Sequence, residues 1–239
     1  IGPDGAGKST LFRLLTTLIN PTSGSATVDG FDIVKDYPAI RKFIGYMPGS
    51  FSLYQDLTVQ ENLNFFAAIF GVSVDDNYEL IAPIYRQIEP FKNRRAGRLS
   101  GGMKQKLALS CALIHNPKVL FLDEPTTGVD AVSRSEFWDM LSNLKAKQIT
   151  VLVSTPYMDE ASRCDRIALC NEGRILSVDT PQGVIEKFKE RLYAVKANHM
   201  LALLNKVRTQ VGVSSCYPFG EYHHLVVNEE FNKFHFYEH

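Results

Sequence analysis

Gly2-Pro3-Asp4-Gly5-Ala6-Gly7-Lys8-Ser9 stands at the head of the chain and fits the pattern G-x-x-x-x-G-K-[ST] at every fixed position. Its glycines let the backbone turn tightly, so that successive N–H groups point inward at phosphate oxygens. Lys8 is placed to reach the β- and γ-phosphates of a nucleotide, and the Ser9 hydroxyl to ligate Mg²⁺. A helix beginning near Gly7 adds its positive dipole end. Leu11, Leu14, Leu15 and Leu18 give that helix an apolar face. The candidate nucleotide-binding segment is therefore Gly2, Asp4, Gly5, Ala6, Gly7, Lys8, Ser9 and the adjoining Thr10.

Two further motifs follow in order. Leu99-Ser100-Gly101-Gly102 lies about ninety residues downstream, with Ser100 at the start of a helix and two glycines that permit close backbone approach. Val119-Leu120-Phe121-Leu122-Asp123-Glu124-Pro125 is an apolar strand ending in two carboxylates. A buried strand carries its terminal residues to the ligand edge of a sheet. Asp123 is there the candidate Mg²⁺ ligand, and Glu124 the group that polarises an attacking water, as general base or as positioner. Thr127-Gly128-Val129-Asp130 comes directly after.

The chain has 239 residues, 45% of them apolar, enough for one sizeable α/β domain and a small appendage. Lys+Arg and Asp+Glu both number 26, so the formal charge is zero and no polybasic stripe argues for a nucleic-acid partner. Cys111, Cys164, Cys170 and Cys216 show no C-x-x-C spacing and fit a reducing compartment. No apolar run approaches the roughly 20 residues that span a bilayer, and no secretory-signal pattern is present. A phosphate loop normally follows a buried strand, yet here it begins at residue 2; the expectation is a chain truncated ahead of that loop.

Asn20-Pro21 is expected to stop a first helix over 10–19. Ser25 to Val34 reads as a hairpin turning at Asp29-Gly30. Phe43–Met47 reads as a buried strand, followed by a loop from Pro48 to Leu57 carrying Phe51, Leu53 and Tyr54. Thr58-Val59-Gln60-Glu61 is a capping box opening a helix through Leu63, Phe66 and Ile69. Residues 78–95 are helical in pattern. Strands at 119–122 and 149–153 flank a helix near 133–145. Strand pieces at 166–170 and 174–177 surround Glu172-Gly173, and a helix near 182–189 closes the main domain. The alternation argues for a mostly parallel sheet. From about residue 190 the pattern becomes strand (192–196), helix (199–211), then aromatic-rich strand material to the end.

Taken together, the phosphate loop, Leu99-Ser100-Gly101-Gly102-Met103, Leu122-Asp123-Glu124-Pro125 and Thr127-Gly128-Val129-Asp130 resemble the ATP-binding subunit of an ATP-binding-cassette (ABC) transporter, over about residues 1–190. The resemblance implies an α/β fold, a P-loop NTPase cassette. Such a cassette has a mostly parallel core sheet, a small antiparallel β subdomain and a helical subdomain (here about 58–117). A small α+β accessory region follows over 191–239. It implies ATP and Mg²⁺ as cofactors, with Ser9 and Asp123 on the metal and Lys8 and Glu124 catalytic. It also implies a head-to-tail pair, homo- or heterodimeric. Ser100, Gly101 and Gly102 of one cassette then meet the nucleotide on the phosphate loop of the other, and Asp130 lies in the loop that crosses the interface. On its own, Asp130 reads as a simple helix N-cap.

Tyr54-Gln55-Asp56-Leu57-Thr58-Val59-Gln60-Glu61-Asn62-Leu63 and Tyr157-Met158-Asp159-Glu160-Ala161 resemble cassettes serving ABC-2-type exporters. That implies a membrane permease partner at the cytoplasmic face of the cell membrane, with the 49–57 loop receiving a permease helix and a drug- or lipid-like cargo. Soluble relatives acting on DNA or ribosomes carry long coiled coils or paired cassettes with basic segments, which this neutral chain lacks.

Three positions depart from the family pattern. Gly49 replaces a Gln that contacts Mg²⁺, Pro156 replaces a His that contacts the γ-phosphate, and Met103 replaces the Gln that usually ends the signature. Pro156 has no donor at all, although it suits a helix's first position with Thr155 as the cap. His115 is expected at a surface or helix end, unable to substitute. Two readings follow: a transport ATPase of reduced turnover, or a nucleotide-gated cassette that relies on a partner site for hydrolysis.

Overall fold

The structure, a computed structural model, describes residues 1–50 and 52–231. Phe51 and the aromatic run from 232 onward, both part of the sequence reading above, lie outside the described residues. The chain divides into two compact units, Ile1–Pro181 and Gln182–His239.

In the first unit, Gly7 takes a left-handed conformation (φ 91°) and launches α1 (Lys8–Leu15). This helix ends four residues before the expected 19. Thr17 also turns left-handed, and Arg41 holds it there, Nε donating to Thr17 Oγ1 at 2.9 Å and a terminal nitrogen to Thr17 O at 2.7 Å. Strands β1 (Thr27–Val28) and β2 (Phe31–Asp32) form the expected hairpin. Its turn residues Asp29 and Gly30 both have positive φ, as a two-residue I′ turn requires. A short helix α2 (Tyr37–Phe43), not foreseen from the pattern, precedes β3 (Ile44–Met47). Ile40 is its one buried residue, too little for a visible periodicity.

The capping box forms as read. Thr58 Oγ1 accepts from Glu61 N at 3.1 Å, the Glu61 carboxylate accepts from Thr58 N at 2.7 Å, and α3 (Val59–Ile69) follows. The helical pattern over 78–95 resolves into α4 (Tyr78–Tyr85) and a single 3₁₀ turn, Glu89–Phe91; a second such turn, Ala96–Arg98, lies just beyond it. Pro90 in the first of these turns supplies no N–H to continue an α-helix. Helix α5 (Gly101–Leu113) buries seven consecutive residues, Leu107 to Leu113, and so forms the centre of the helical layer rather than an amphipathic face.

Strand β4 (Val119–Asp123), helix α6 (Ala131–Ala146) and strand β5 (Thr150–Ser154) complete a parallel sheet of order β3-β4-β5. Its register sets Leu122 against Val153 and Asp123 against Ser154. A helical turn, α7 (Met158–Ala161), leads to the antiparallel pair β6 (Ile167–Asn171) and β7 (Arg174–Asp179), turning through Glu172 and Gly173 as the sequence indicated. Between β5 and β6 lies a cleft of about 570 Å³, walled in part by Trp138, Val151, Val153 and Cys170. Among the described residues no strand pairs with the outer edge of β5.

The division between units falls within α8 (Pro181–Glu186), which is shorter than the expected 182–189. The second unit holds β8 (Arg191–Val195), α9 (Met200–Val207), β9 (Val213–Phe219) and β10 (Tyr222–Val227), with sheet order β8-β10-β9, all antiparallel. Its core is Leu204, Val207, Cys216, Leu225 and Val227.

Candidate active site

The phosphate loop wraps the start of α1 with Ala6 and Lys8 buried, Ser9 half-buried, and Asp4, Gly5 and Thr10 exposed. Gly2 has no room for a side chain, since a methyl group there would lie 2.1 Å from Cys170 O. Gly173 N donates to Ala6 O at 3.1 Å, so the β6–β7 turn braces the loop from behind. Lys8 turns its ammonium back into the loop, donating to Gly2 O at 2.8 Å and Pro3 O at 3.0 Å, and lies 3.2 Å from Glu124 Oε1. The structure thus brings together two residues that lie far apart in the chain.

Glu124 follows β4 with φ +49°, a conformation that costs a non-glycine residue strain. Its N–H donates to both Ser154 O and Ser154 Oγ, each at 3.0 Å. The same Ser154 hydroxyl donates to Asp123 Oδ1 at 2.5 Å. One serine at the end of β5 therefore holds both Asp123, the last residue of β4, and Glu124, which follows it. Nothing local in the sequence marked Ser154; its signal is the parallel register that sets it opposite Asp123.

Thr126 and Thr155, just beyond the ends of adjacent strands, point their hydroxyls at opposite oxygens of the buried Glu160, each at 2.6 Å. Thr155 Oγ1 also accepts from Tyr157 N at 3.0 Å. Pro156 is thus not the first residue of a helix and Thr155 is not its cap, contrary to expectation. α7 starts at Met158 with Tyr157 as N-cap, and Thr155 closes a hydroxyl turn around the proline. Tyr157 lies under the Arg134 guanidinium, 4.8 Å from its ring centre. Gly49 packs against the end of β4, where a methyl group would sit 3.1 Å from Asp123 O. Gly49 therefore abuts the backbone that carries Asp123 and Glu124.

Ser100 caps α5, its hydroxyl accepting from Met103 N at 3.4 Å. A methyl group on Gly101 would meet Gly128 O at 3.7 Å, and one on Gly102 would meet Ser133 Oγ at 3.0 Å. These glycines neighbour the 127–133 segment of their own chain, not the phosphate loop. Asp130 caps α6, accepting from Ser133 N at 3.0 Å, and this hydrogen bond holds its carboxyl below the usual range.

An apolar groove of about 390 Å³ opens beside the 48–57 loop, lined by Leu53, Phe66, Ile69, Phe70, Cys111 and His115 among others. His115 is half-buried rather than on the surface. Its ring stacks on Phe70 at 3.7 Å, Nε2 bonds Ile44 O at 2.9 Å, and burial lowers its pKa. Asn62, wholly buried, shapes the loop: Nδ2 donates to Tyr54 O and Thr58 O, and Oδ1 accepts from Tyr54 N. Leu53 is buried and Tyr54 exposed, edge-on to Phe65 at 4.7 Å.

The family model described as ABC transporter matches residues 1–127. Over 201 residues the chain is 46% identical to the probable multidrug ABC transporter ATP-binding protein YbhF of Escherichia coli (strain K12), an alignment covering 83% of this chain and 35% of that protein. It is 39% identical over 189 residues to the Nod factor export ATP-binding protein I of Burkholderia orbicola (strain AU 1054), covering 78% of this chain and 62% of the relative. The chain thus spans about a third of the length of the first relative and under two thirds of the second. Among solved structures it resembles a dimeric ATP-binding cassette in a post-hydrolysis state bound to ADP and Pi. The TM-score is 0.67 and the identity 26%, over 75% of this chain and 83% of the other.

Proposed function

The chain belongs to the ABC transporter family, and from that membership we propose that it hydrolyses Mg-ATP in a head-to-tail pair with a second cassette and drives an ABC-2-type permease that exports its solute. The observation that carries this reading is the convergence of Lys8 on Glu124, with Ser154 fixing Asp123 and Glu124 side by side. Phosphoryl transfer needs positioning and charge stabilisation more than covalent chemistry, and these residues supply both. The loop from Gly2 to Thr10 cradles the phosphates. Lys8 neutralises charge on them, and Glu124 orients or deprotonates the attacking water.

Ser9 and Asp123 would hold Mg²⁺. A hydroxyl and a carboxylate are the hard oxygen donors this ion prefers. No cluster of three or more His, Cys, Asp or Glu suited to a metal occurs among the described residues, so the remaining ligands come from phosphate and water. Bound there, the ion supplies charge neutralisation on the transferring group.

Ser100, Gly101, Gly102 and Asp130 serve a nucleotide carried by the opposite cassette, whether a second copy or a related chain. The exposed N-terminal end of α5 suits an incoming γ-phosphate. The groove beside the 48–57 loop receives a cytoplasmic helix of the permease, in the helix-in-groove manner its apolar lining supports. No helix among the described residues is long and apolar enough to cross a membrane; on this reading the permease holds the chain at the cytoplasmic face of the cell membrane. We assign the cassette to 1–190, its helical subdomain to about 58–117, and an accessory role to 191–239.

A second reading is favoured by one observation: Pro156 offers no donor, and the adjacent Thr155 hydroxyl is spent on Glu160. The chain would then bind ATP and pair, leaving turnover to a partner site. Mg-ATP turnover of the protein beside its Glu124→Gln variant decides between them. Loss of turnover by ~10²–10³-fold in the variant supports the working ATPase. A parent as inactive as the variant, while still binding ATP, supports the second.

A further inference from the structure

We infer that Glu160 is a positioning residue of the hydrolytic site, locking the backbone of Glu124 by bridging the ends of β4 and β5; this rests on the ATPase reading above. Glu160 lies in the single turn α7 and is 3% exposed. A carboxylate is costly to bury unless its oxygens are hydrogen-bonded. Here each oxygen takes one hydroxyl at 2.6 Å, from Thr126 and from Thr155.

The path these bonds close is what gives Glu160 its role. Thr126 lies two residues beyond Glu124, and Thr155 directly follows Ser154. Ser154 accepts the Glu124 N–H and holds Asp123. Glu124, Pro125, Thr126, Glu160, Thr155 and Ser154 therefore form a closed ring of covalent and hydrogen bonds. Glu124 sits in that ring at φ +49°, a conformation that persists only where the surroundings over-determine it. Ser154 fixes one side of the strained residue and Glu160 the other. Glu160 also engages the Thr155 hydroxyl beside Pro156, so the two loops that would face the γ-phosphate are tied to each other rather than moving separately.

The test compares the full chain with Glu160→Ala and Glu160→Gln. It measures steady-state ATP turnover, ATP affinity and amide exchange over residues 123–128. Glu160→Ala should lower kcat by about ten- to a hundredfold, leave ATP affinity within about twofold, and raise exchange over 123–128. Glu160→Gln keeps the shape and two hydrogen-bonding atoms, and should recover most of the turnover. Unchanged kcat and exchange in Glu160→Ala would overturn the inference. So would a fall in affinity and melting temperature that tracks the fall in turnover, the mark of a merely structural role. If Glu160→Ala does not fold, Thr126→Val, which deletes a single donor at nearly constant volume, takes its place with the same expectations. A parent that does not turn over would count against the ATPase reading alone; the exchange measurement then decides this one.

Discussion

Lys8 Nζ lies 3.2 Å from Glu124 Oε1, and the same ammonium donates to two carbonyls of its own loop. Three oxygens thus converge on one buried cation, with Glu124 held beside it; on the proposed reading a phosphate oxygen takes the place of one of them. Removing the charge leaves those acceptors facing each other. Lys8→Met should weaken ATP binding by about tenfold or more, read by titration with a fluorescent ATP analogue. Lys8→Arg should not rescue it, because a planar guanidinium cannot place its charge in the space of an ammonium. Unchanged affinity in Lys8→Met would remove this loop from the binding site.

Ser100 and Lys8 are assigned to two different nucleotides, which gives a sharp test of head-to-tail pairing. Lys8→Met and Ser100→Arg should each abolish turnover alone, the second without loss of ATP affinity. Mixing the two proteins should restore activity, because one of the two sites in a mixed pair is intact. No recovery on mixing argues against a homodimer of this geometry.

Pro156 follows Thr155 just beyond β5 and Gly49 packs against the Asp123 backbone, and neither supplies a side-chain donor. Pro156→His should raise turnover, by up to the ~10²-fold that one transition-state donor contributes. Gly49→Gln needs only a small shift, since its Cβ would sit 3.1 Å from Asp123 O, and should raise turnover less. If Pro156→His leaves kcat unchanged, the histidine contact has no counterpart in this cassette.

His115 should make stability depend on pH. Burial lowers its folded-state pKa and outweighs the hydrogen bond to Ile44 O, which acts the other way, so the unfolded chain binds the proton more readily. Stability should therefore be fully present above its ordinary value of about 6.5 and decline as pH falls below it toward the depressed folded value. Urea unfolding of the protein and of His115→Phe between about pH 8 and pH 5.5 should show this decline in the first and a flatter profile in the second. Parallel profiles would sink the assignment.

The parts of the fold legible in the sequence were those whose physics is local. Asp29-Gly30 must adopt positive φ, Thr58 and Glu61 satisfy one another across a single turn, and the phosphate loop is one continuous peptide. Where burial or a distant partner decides, the pattern said less. His115 reads as a surface or helix-end residue; it does follow the end of α5, but the stacking of Phe70 against it was not visible in the sequence. Residues 78–95 carry helical spacing, yet Pro90 divides them. Glu160 reads as one acid in a charged turn, because one of its two partners is 34 residues away. The candidate site was legible as a set of motifs, whereas the serine and the glutamate that join those motifs became visible only once β4 and β5 were set side by side.

Trp138 is the chain's single tryptophan, buried to 5% exposure in the wall of the cleft beside β5, with its indole Nε1 unpaired. An indole N–H that lacks an acceptor in an apolar wall emits at short wavelength, and one that gains an acceptor emits further to the red. The cleft therefore carries its own optical reporter. A segment or solute that displaces this wall as it settles along β5 should shift the intrinsic fluorescence, against a background free of other tryptophans and with no label attached.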